Sequence, residues 1–293
     1  MIFKQSYWGG RAATYFVDPN TLGIYLVALT LPGLFIKFPP NYRVLTWIVR
    51  ATLTALVVIV IIRTETRTAW ISASACIVVF LLVYPFKNRL HRVTYSLCIC
   101  AAALITVTAS GTITKRVESV VSDIQRFSQG DLSENSVGVR MGLVLLDIEL
   151  VKIYPGFGIR DGSLPQLETL QDRNPAITKV ILDAKLASGS HSEILGQLVR
   201  KGIFLGTLTV IALFLLPLVT FIKLWRANHQ NDPLALIPLL VTVSLTISSL
   251  GLQVFNLKMT STFWSVFLAI FYAYYCHSRA PEIASNSYRN NLI

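Results

Sequence analysis

The chain has 293 residues, of which 53% are hydrophobic and only 14% charged. A soluble domain carries roughly 25% charged residues, so a conventional water-soluble globule is excluded. So are disordered, collagenous and disulfide-stapled chains. The formal charge of +11 comes from basic residues scattered between long apolar runs. That pattern fits cytoplasmic loops of a membrane protein rather than nucleic-acid binding. All four cysteines (Cys76, Cys98, Cys100, Cys276) lie inside apolar runs, so no disulfide or metal framework is implied. The composition predicts an all-α integral membrane protein.

Seven apolar runs are long enough, or nearly so, to cross a hydrocarbon core about 30 Å thick as helices. They are Thr21–Ile36, Leu45–Ile62, Ala69–Phe86, Val93–Ser110, Gly202–Ile222, Leu234–Phe255 and Met259–Cys276. Helices are required because lipid offers the backbone no hydrogen-bond partner. Arg50, one turn inside the second run, is placed to snorkel to the headgroups. Lys37, Arg43, Arg50, Lys87, Arg89, Arg92, Lys223, Arg226, Arg279 and Arg289 fall on one side of these spans. Only Lys4, Arg11, Arg63, Arg67 and Lys258 fall on the other. The richer side is expected to be cytoplasmic.

The organisation that follows is a periplasmic N-terminal segment (1–20), four transmembrane helices (21–110), a large periplasmic loop (111–201), three transmembrane helices (202–276) and a cytoplasmic tail (277–293). Seven spans leave the N-terminus outside with no cleavable signal, so the chain is expected to lack an upstream part. The long loop collects most of the acidic residues. Chemistry is expected there, because loops of that length usually carry function.

Within the loop, Ser136–Tyr154 reads as a helix stopped by Pro155. It is too short and too charged to span, so it is expected to lie at the interface or against the bundle. Its Arg140 and Asp147 are seven residues apart on nearly one face. Arg140 reads either as an ordinary solvated charge or as an anion ligand. The Gly156-Phe157-Gly158 turn and Asp161-Gly162 after it can carry backbone close to a ligand.

Farther on, Ser190 and Glu193 have capping-box spacing, which predicts a helix with Ser190 as N-cap and His191 in its first turn. Such a position disfavours imidazolium and attracts anions. A neutral ring there is fit to act as a general base, although a plain surface histidine would look the same. Arg63 and Arg67 sit in the short turn between the second and third spans, on the same outer side. Guanidinium groups suit bidentate phosphate contacts, while Glu65 between them also allows a partly neutralised surface pair. Together, Arg63, Arg67, Arg140 and His191 describe a cationic outer-face site with one potential base.

Four segments carry a resemblance. They are RAATYFVDPNTLGIYL (Arg11–Leu26), TETRTAW (Thr64–Trp70), SVGVRMGLVLLDIELVKIYPGFGIRDG (Ser136–Gly162) and HSEILGQLVRKG (His191–Gly202). They resemble the bacterial O-antigen ligase and polymerase family of lipopolysaccharide assembly. His191, ten residues and Gly202 match a ligase motif. A companion motif, an arginine followed by three residues and a leucine, is imperfect at Arg140, where Val144 stands between Leu143 and Leu145. The family is usually about a dozen helices long, so the chain resembles its C-terminal portion.

The resemblance implies a metal-independent, inverting glycosyltransferase without cofactor, located in the bacterial inner membrane with its active site facing the periplasm. It would move a polysaccharide from undecaprenyl diphosphate to lipid A-core oligosaccharide. His191 would be the catalytic base, and Arg67, Arg140 and Arg63 would bind the diphosphate. The partners implied are undecaprenyl-diphosphate-linked O-antigen, lipid A-core oligosaccharide and membrane lipid, with no nucleic acid. The alternatives are an O-antigen polymerase, a membrane transporter and an inactive fragment.

Overall fold

The computed structural model describes residues 18–33, 39–84, 136–159, 164–228, 235–256 and 258–290, with isolated positions 93, 118, 122 and 125. The fourth expected span, most of the N-terminal segment, residues 111–117 of the expected loop and Asp161-Gly162 lie outside the described residues. Among the described residues every regular element is helical.

Helix α1 spans Pro19–Gly33. Asp18 caps it, its carboxylate accepting from the Asn20 and Thr21 N–H groups at 2.8 and 3.2 Å, with Pro19 in the first helical position that proline favours. Helix α2 (Arg43–Thr64) turns directly into α3 (Arg67–Val83). The corner is Glu65, in the left-handed region at φ 53°, and its N–H closes on the Ile62 carbonyl at 3.0 Å. The Thr66 hydroxyl donates to the Pro19 carbonyl at 3.0 Å, which ties this hairpin to the start of α1.

Helix α4 (Ser136–Ile153) ends two residues before Pro155, as the missing proline N–H dictates. Two short helices follow, α5 (Leu167–Arg173) and α6 (Lys179–Ser188). Helix α7 (Glu193–Val210) runs through a π-turn at Ile211–Leu215 into α8 (Leu216–Asn228). Helices α9 (Leu236–Gly251) and α10 (Lys258–Asn290) complete the described chain.

Two hydrophobic cores divide these elements. The larger joins Ile24 and Ala28 of α1, Ala69 and Cys76 of α3, Phe221 and Leu224 of α8, Leu236–Leu245 of α9, and Trp264 and Phe267 of α10. Small residues bring α3 and α9 close: the Ser72 and Ser244 hydroxyls pair at 2.8 Å, as small polar residues do between apolar helices. The smaller core holds Leu143, Leu146 and Leu150 of α4 with Leu170, Ile177, Ile181 and Val199. It packs α4 against α6 and α7 and so presents one face of α4 to the segment that carries His191.

The outer surface of the larger bundle is apolar. Val44 is 72% exposed, Phe204 71% and Leu82 70%, a distribution that water would penalise. Val44–Thr64 and Glu193–Ala227 are long and apolar enough to cross a membrane by length and composition. Arg67–Val83 and Leu236–Gly251 are shorter apolar helices.

Helix α7 is broken at Gly202, whose φ 77° and ψ 176° are not helical. The Pro155–Gly158 turn fills the break. Ile203 N–H donates to the Pro155 carbonyl at 2.8 Å, and Ile159 N–H to the Val199 carbonyl at 2.7 Å. Gly158, at φ 72°, lies backbone to backbone with Arg200 and Gly202. The glycine turn after α4 therefore brings its backbone to the kink of α7.

Candidate functional site

The segment carrying His191 is built from both ends. Helix α6 closes at Gly189, at φ 72°, and the chain then runs extended into α7. The capping-box expectation is corrected here. Ser192, not Ser190, is the N-cap, its hydroxyl accepting from Leu195 N–H at 3.5 Å. His191 therefore precedes the helix instead of lying in its first turn. The reason is competition for the side chains. The Ser190 hydroxyl is taken by the Lys185 ammonium. The fully buried Glu193 carboxylate turns inward, accepting from Gln197 Nε2 at 2.6 Å, Phe255 N–H at 3.0 Å and Arg200 Nη2 at 3.2 Å. It locks α7 to the connection between α9 and α10 and does not reach back to the cap.

Three of the four predicted site residues come together. Arg140 is half-buried on α4, close enough to His191 for its charge to act on the imidazole. Arg67, the first residue of α3, acts in turn on Arg140. Arg63 is exposed on the last turn of α2. Among the described residues no interaction links its charge to Arg140 or His191.

The electrostatics follow from burial and like charge. Burial first, then the positive charge of Arg67, pulls the Arg140 guanidinium below its ordinary value; the group remains a cation with reason to hold an anion. Burial first, then Arg140 and Lys185, lowers His191 below the usual imidazole value of 6.5. Desolvation and neighbouring cations therefore favour the expected neutral ring.

Because the shift is downward, the midpoint of His191 protonation lies below pH 6.5. A reaction that needs the free imidazole should thus keep its rate through mildly acidic pH. The acid limb of kcat/KM against pH is expected to have its midpoint below 6.5. A midpoint at or above that value would contradict the geometry.

Two features of this neighbourhood had no local sequence signal. Lys185 comes from α6, nearly buried, and pairs with the buried Asp147 of α4 as well as with Ser190. Burial raises the Asp147 carboxyl and Lys185 opposes that rise. Asp147 thus belongs to Lys185 and not to its helix neighbour Arg140. The second feature is a cavity of about 260 Å³ on which His191 opens. Asp18, Asn20 and Tyr25 line it from the start of α1, Ser188 and Ser190 from beside His191, Gln253 from the α9–α10 connection and Thr260 from the start of α10.

Among the described residues the geometry defines an all-helical protein in which His191, its neutral form favoured, stands between half-buried guanidiniums and a cavity. A family model described as O-antigen ligase matches residues 52–211, more than half of the chain. The chain belongs to the O-antigen ligase family. No curated protein matches it. The matched region contains Arg63, Arg67, Arg140 and His191, but not the cavity wall at Asp18, Gln253 and Thr260.

Proposed function

We propose that the protein is a glycosyltransferase of the O-antigen ligase type. It moves a polysaccharide from undecaprenyl diphosphate to a sugar hydroxyl of lipid A-core oligosaccharide on the periplasmic face of the inner membrane. Family membership supports the class, and the juxtaposition of His191 with Arg140 carries the mechanism. The outward apolar faces of α2, α3, α7 and α10 support a multi-pass bundle, consistent with the seven apolar runs and with α4–α6 lying in the periplasmic loop.

In this mechanism the acceptor hydroxyl attacks the anomeric carbon and gives its proton to the neutral His191. The bond from that carbon to the diphosphate oxygen breaks, and the electron pair leaves on the diphosphate. Arg140 and Arg67 receive the developing negative charge from fixed positions, so little reorganisation is needed as the bond breaks. Direct attack inverts the anomeric configuration. Two guanidiniums supply the charge that a divalent ion would otherwise contribute.

Membranes carrying Arg140→Ala should lose transfer by about 100-fold or more, as removal of a charge-stabilising donor does elsewhere. Arg67→Ala should fall in the same direction, and EDTA should leave the wild-type rate unchanged. An EDTA-sensitive rate restored by magnesium would refute the metal-independent reading. Extension of the glycan on its lipid carrier, with no attachment to lipid A-core, would make the protein a polymerase.

A further inference from the structure

The cavity beside His191 differs in charge from the cationic side of the site. Among the described residues its lining carries one carboxylate, Asp18, and no lysine or arginine. The rest sets hydroxyls and carboxamides, among them Ser190, Thr260, Asn20 and Gln253, on a largely apolar surface that includes Ile24 and Leu252. Because Lys185 behind Ser190 is already paired with Asp147, such a wall offers a diphosphate no direct cationic partner. A neutral polyol is matched by it, because hydroxyls can both donate to Asp18 and exchange hydrogen bonds with Gln253.

Gln253 is given room deliberately. A Cβ on Gly189 would meet its Oε1 at 2.8 Å, and a Cβ on Gly196 would meet its Nε2 at 2.6 Å. Both glycines flank the His191 segment, so the carboxamide lies in a notch that any larger residue would close. Asp18 spends one oxygen on the cap of α1, and the second oxygen has acceptor capacity left. The cavity volume of about 260 Å³ falls just below the roughly 300–1,000 Å³ of small-molecule sites, which suits one sugar ring and not a polymer.

We propose that this cavity is the acceptor subsite. It seats a single neutral sugar ring with one hydroxyl on His191, while Asp18 and Gln253 grip the ring's other hydroxyls. The imidazole then divides the two substrates by charge, with the anionic donor on the Arg140 side and the uncharged acceptor on the Asp18–Gln253 side. This inference rests on the transferase reading above and names the substrate that enters from the second side.

The test measures binding and transfer separately, on the full chain in lipid nanodiscs. The binding probes are a delipidated core oligosaccharide and undecaprenyl diphosphate. Asp18→Asn keeps the helix cap, since Asn caps as well as Asp, but loses the charge-assisted acceptor. Gln253→Ala removes the carboxamide, and Gly196→Ala displaces it without changing its chemistry. Each should weaken oligosaccharide binding roughly five- to tenfold, the loss of about one hydrogen bond. In the transfer assay each should raise the acceptor KM by a similar factor. Undecaprenyl diphosphate binding and the donor KM should stay at the wild-type value.

Oligosaccharide binding that ignores all three substitutions, or that is absent in the wild type, overturns the proposal. So does a loss of undecaprenyl diphosphate binding in their place, which would give the cavity to the donor. A wild-type chain that transfers nothing yet shows the expected binding pattern would instead sink the transferase reading and leave the cavity assignment standing.

Discussion

Replacing His191 with alanine should lower transfer by about 10²- to 10⁴-fold, the range that a positioned general base contributes. The acceptor hydroxyl is a poor nucleophile until its proton has somewhere to go. His191 opens on the cavity and feels both Arg140 and Lys185, so partial burial and like charge favour the neutral ring before substrate arrives. The substitution should act on kcat more than on either KM. The ring is only partly buried and precedes the helix cap, so its removal leaves the Ser192 cap and the Glu193 lock in place. Thermal unfolding should accordingly match the wild type. A variant that transfers at the wild-type rate would dismiss His191 as the base. One that unfolds early would make its role structural.

The second large effect is expected at Gly202. Its φ of 77° with ψ of 176° is a backbone conformation essentially reserved for glycine. A Cβ there would lie 1.8 Å from the Gly156 carbonyl oxygen and 2.9 Å from the Gly158 nitrogen. Both are backbone atoms that no rotamer change can move. Gly202→Ala should therefore cost about 1–3 kcal/mol in backbone strain and a similar amount in overpacking. It would also disturb the hydrogen bonds that tie the Pro155–Gly158 turn to α7, and with them the register of α4, which carries Arg140. Gly156→Ala is the control, because nothing lies within 4 Å of its Cβ. Differential thermal unfolding in detergent should show a large drop for Gly202→Ala and none for Gly156→Ala. Equal behaviour of the two variants would mean that the interlock does not hold this corner.

These two glycines show where sequence reading succeeds and where it stops. The histidine, ten residues and glycine were recognisable as a motif, but nothing local says why the glycine is needed. The answer is the turn at Pro155–Gly158, more than forty residues upstream. Helix bounds set by composition were much more accessible. The expected helix Ser136–Tyr154 is observed as Ser136–Ile153, because proline punishes helix geometry within a few residues of itself. The run Leu45–Ile62 lies inside Arg43–Thr64 for the same local reason, an apolar stretch ended by a left-handed corner.

The capping box failed because two serines compete, and the choice between them depends on Lys185 from another helix and on an inward-facing Glu193. Arg140 and His191 were identified one at a time as residues on a common side. Their proximity is made by the smaller core, where Leu143, Leu146 and Leu150 of α4 meet Ile181 and Val199. Asp18 lay inside a segment that carried the resemblance and Gln253 outside all of them, but neither had a sign of a role at the site until α1 and the α9–α10 connection enclosed the same cavity.

The most direct measurement is transfer by the purified chain in nanodiscs containing undecaprenyl-diphosphate-linked polysaccharide and lipid A-core, with no other protein. Glycan attached to the core, stoichiometric release of undecaprenyl diphosphate, and loss of both on separate His191→Ala and Arg140→Ala substitution are the predicted results. Attachment that persists undiminished in either variant would contradict the proposal that an imidazole and its neighbouring guanidinium carry out the reaction.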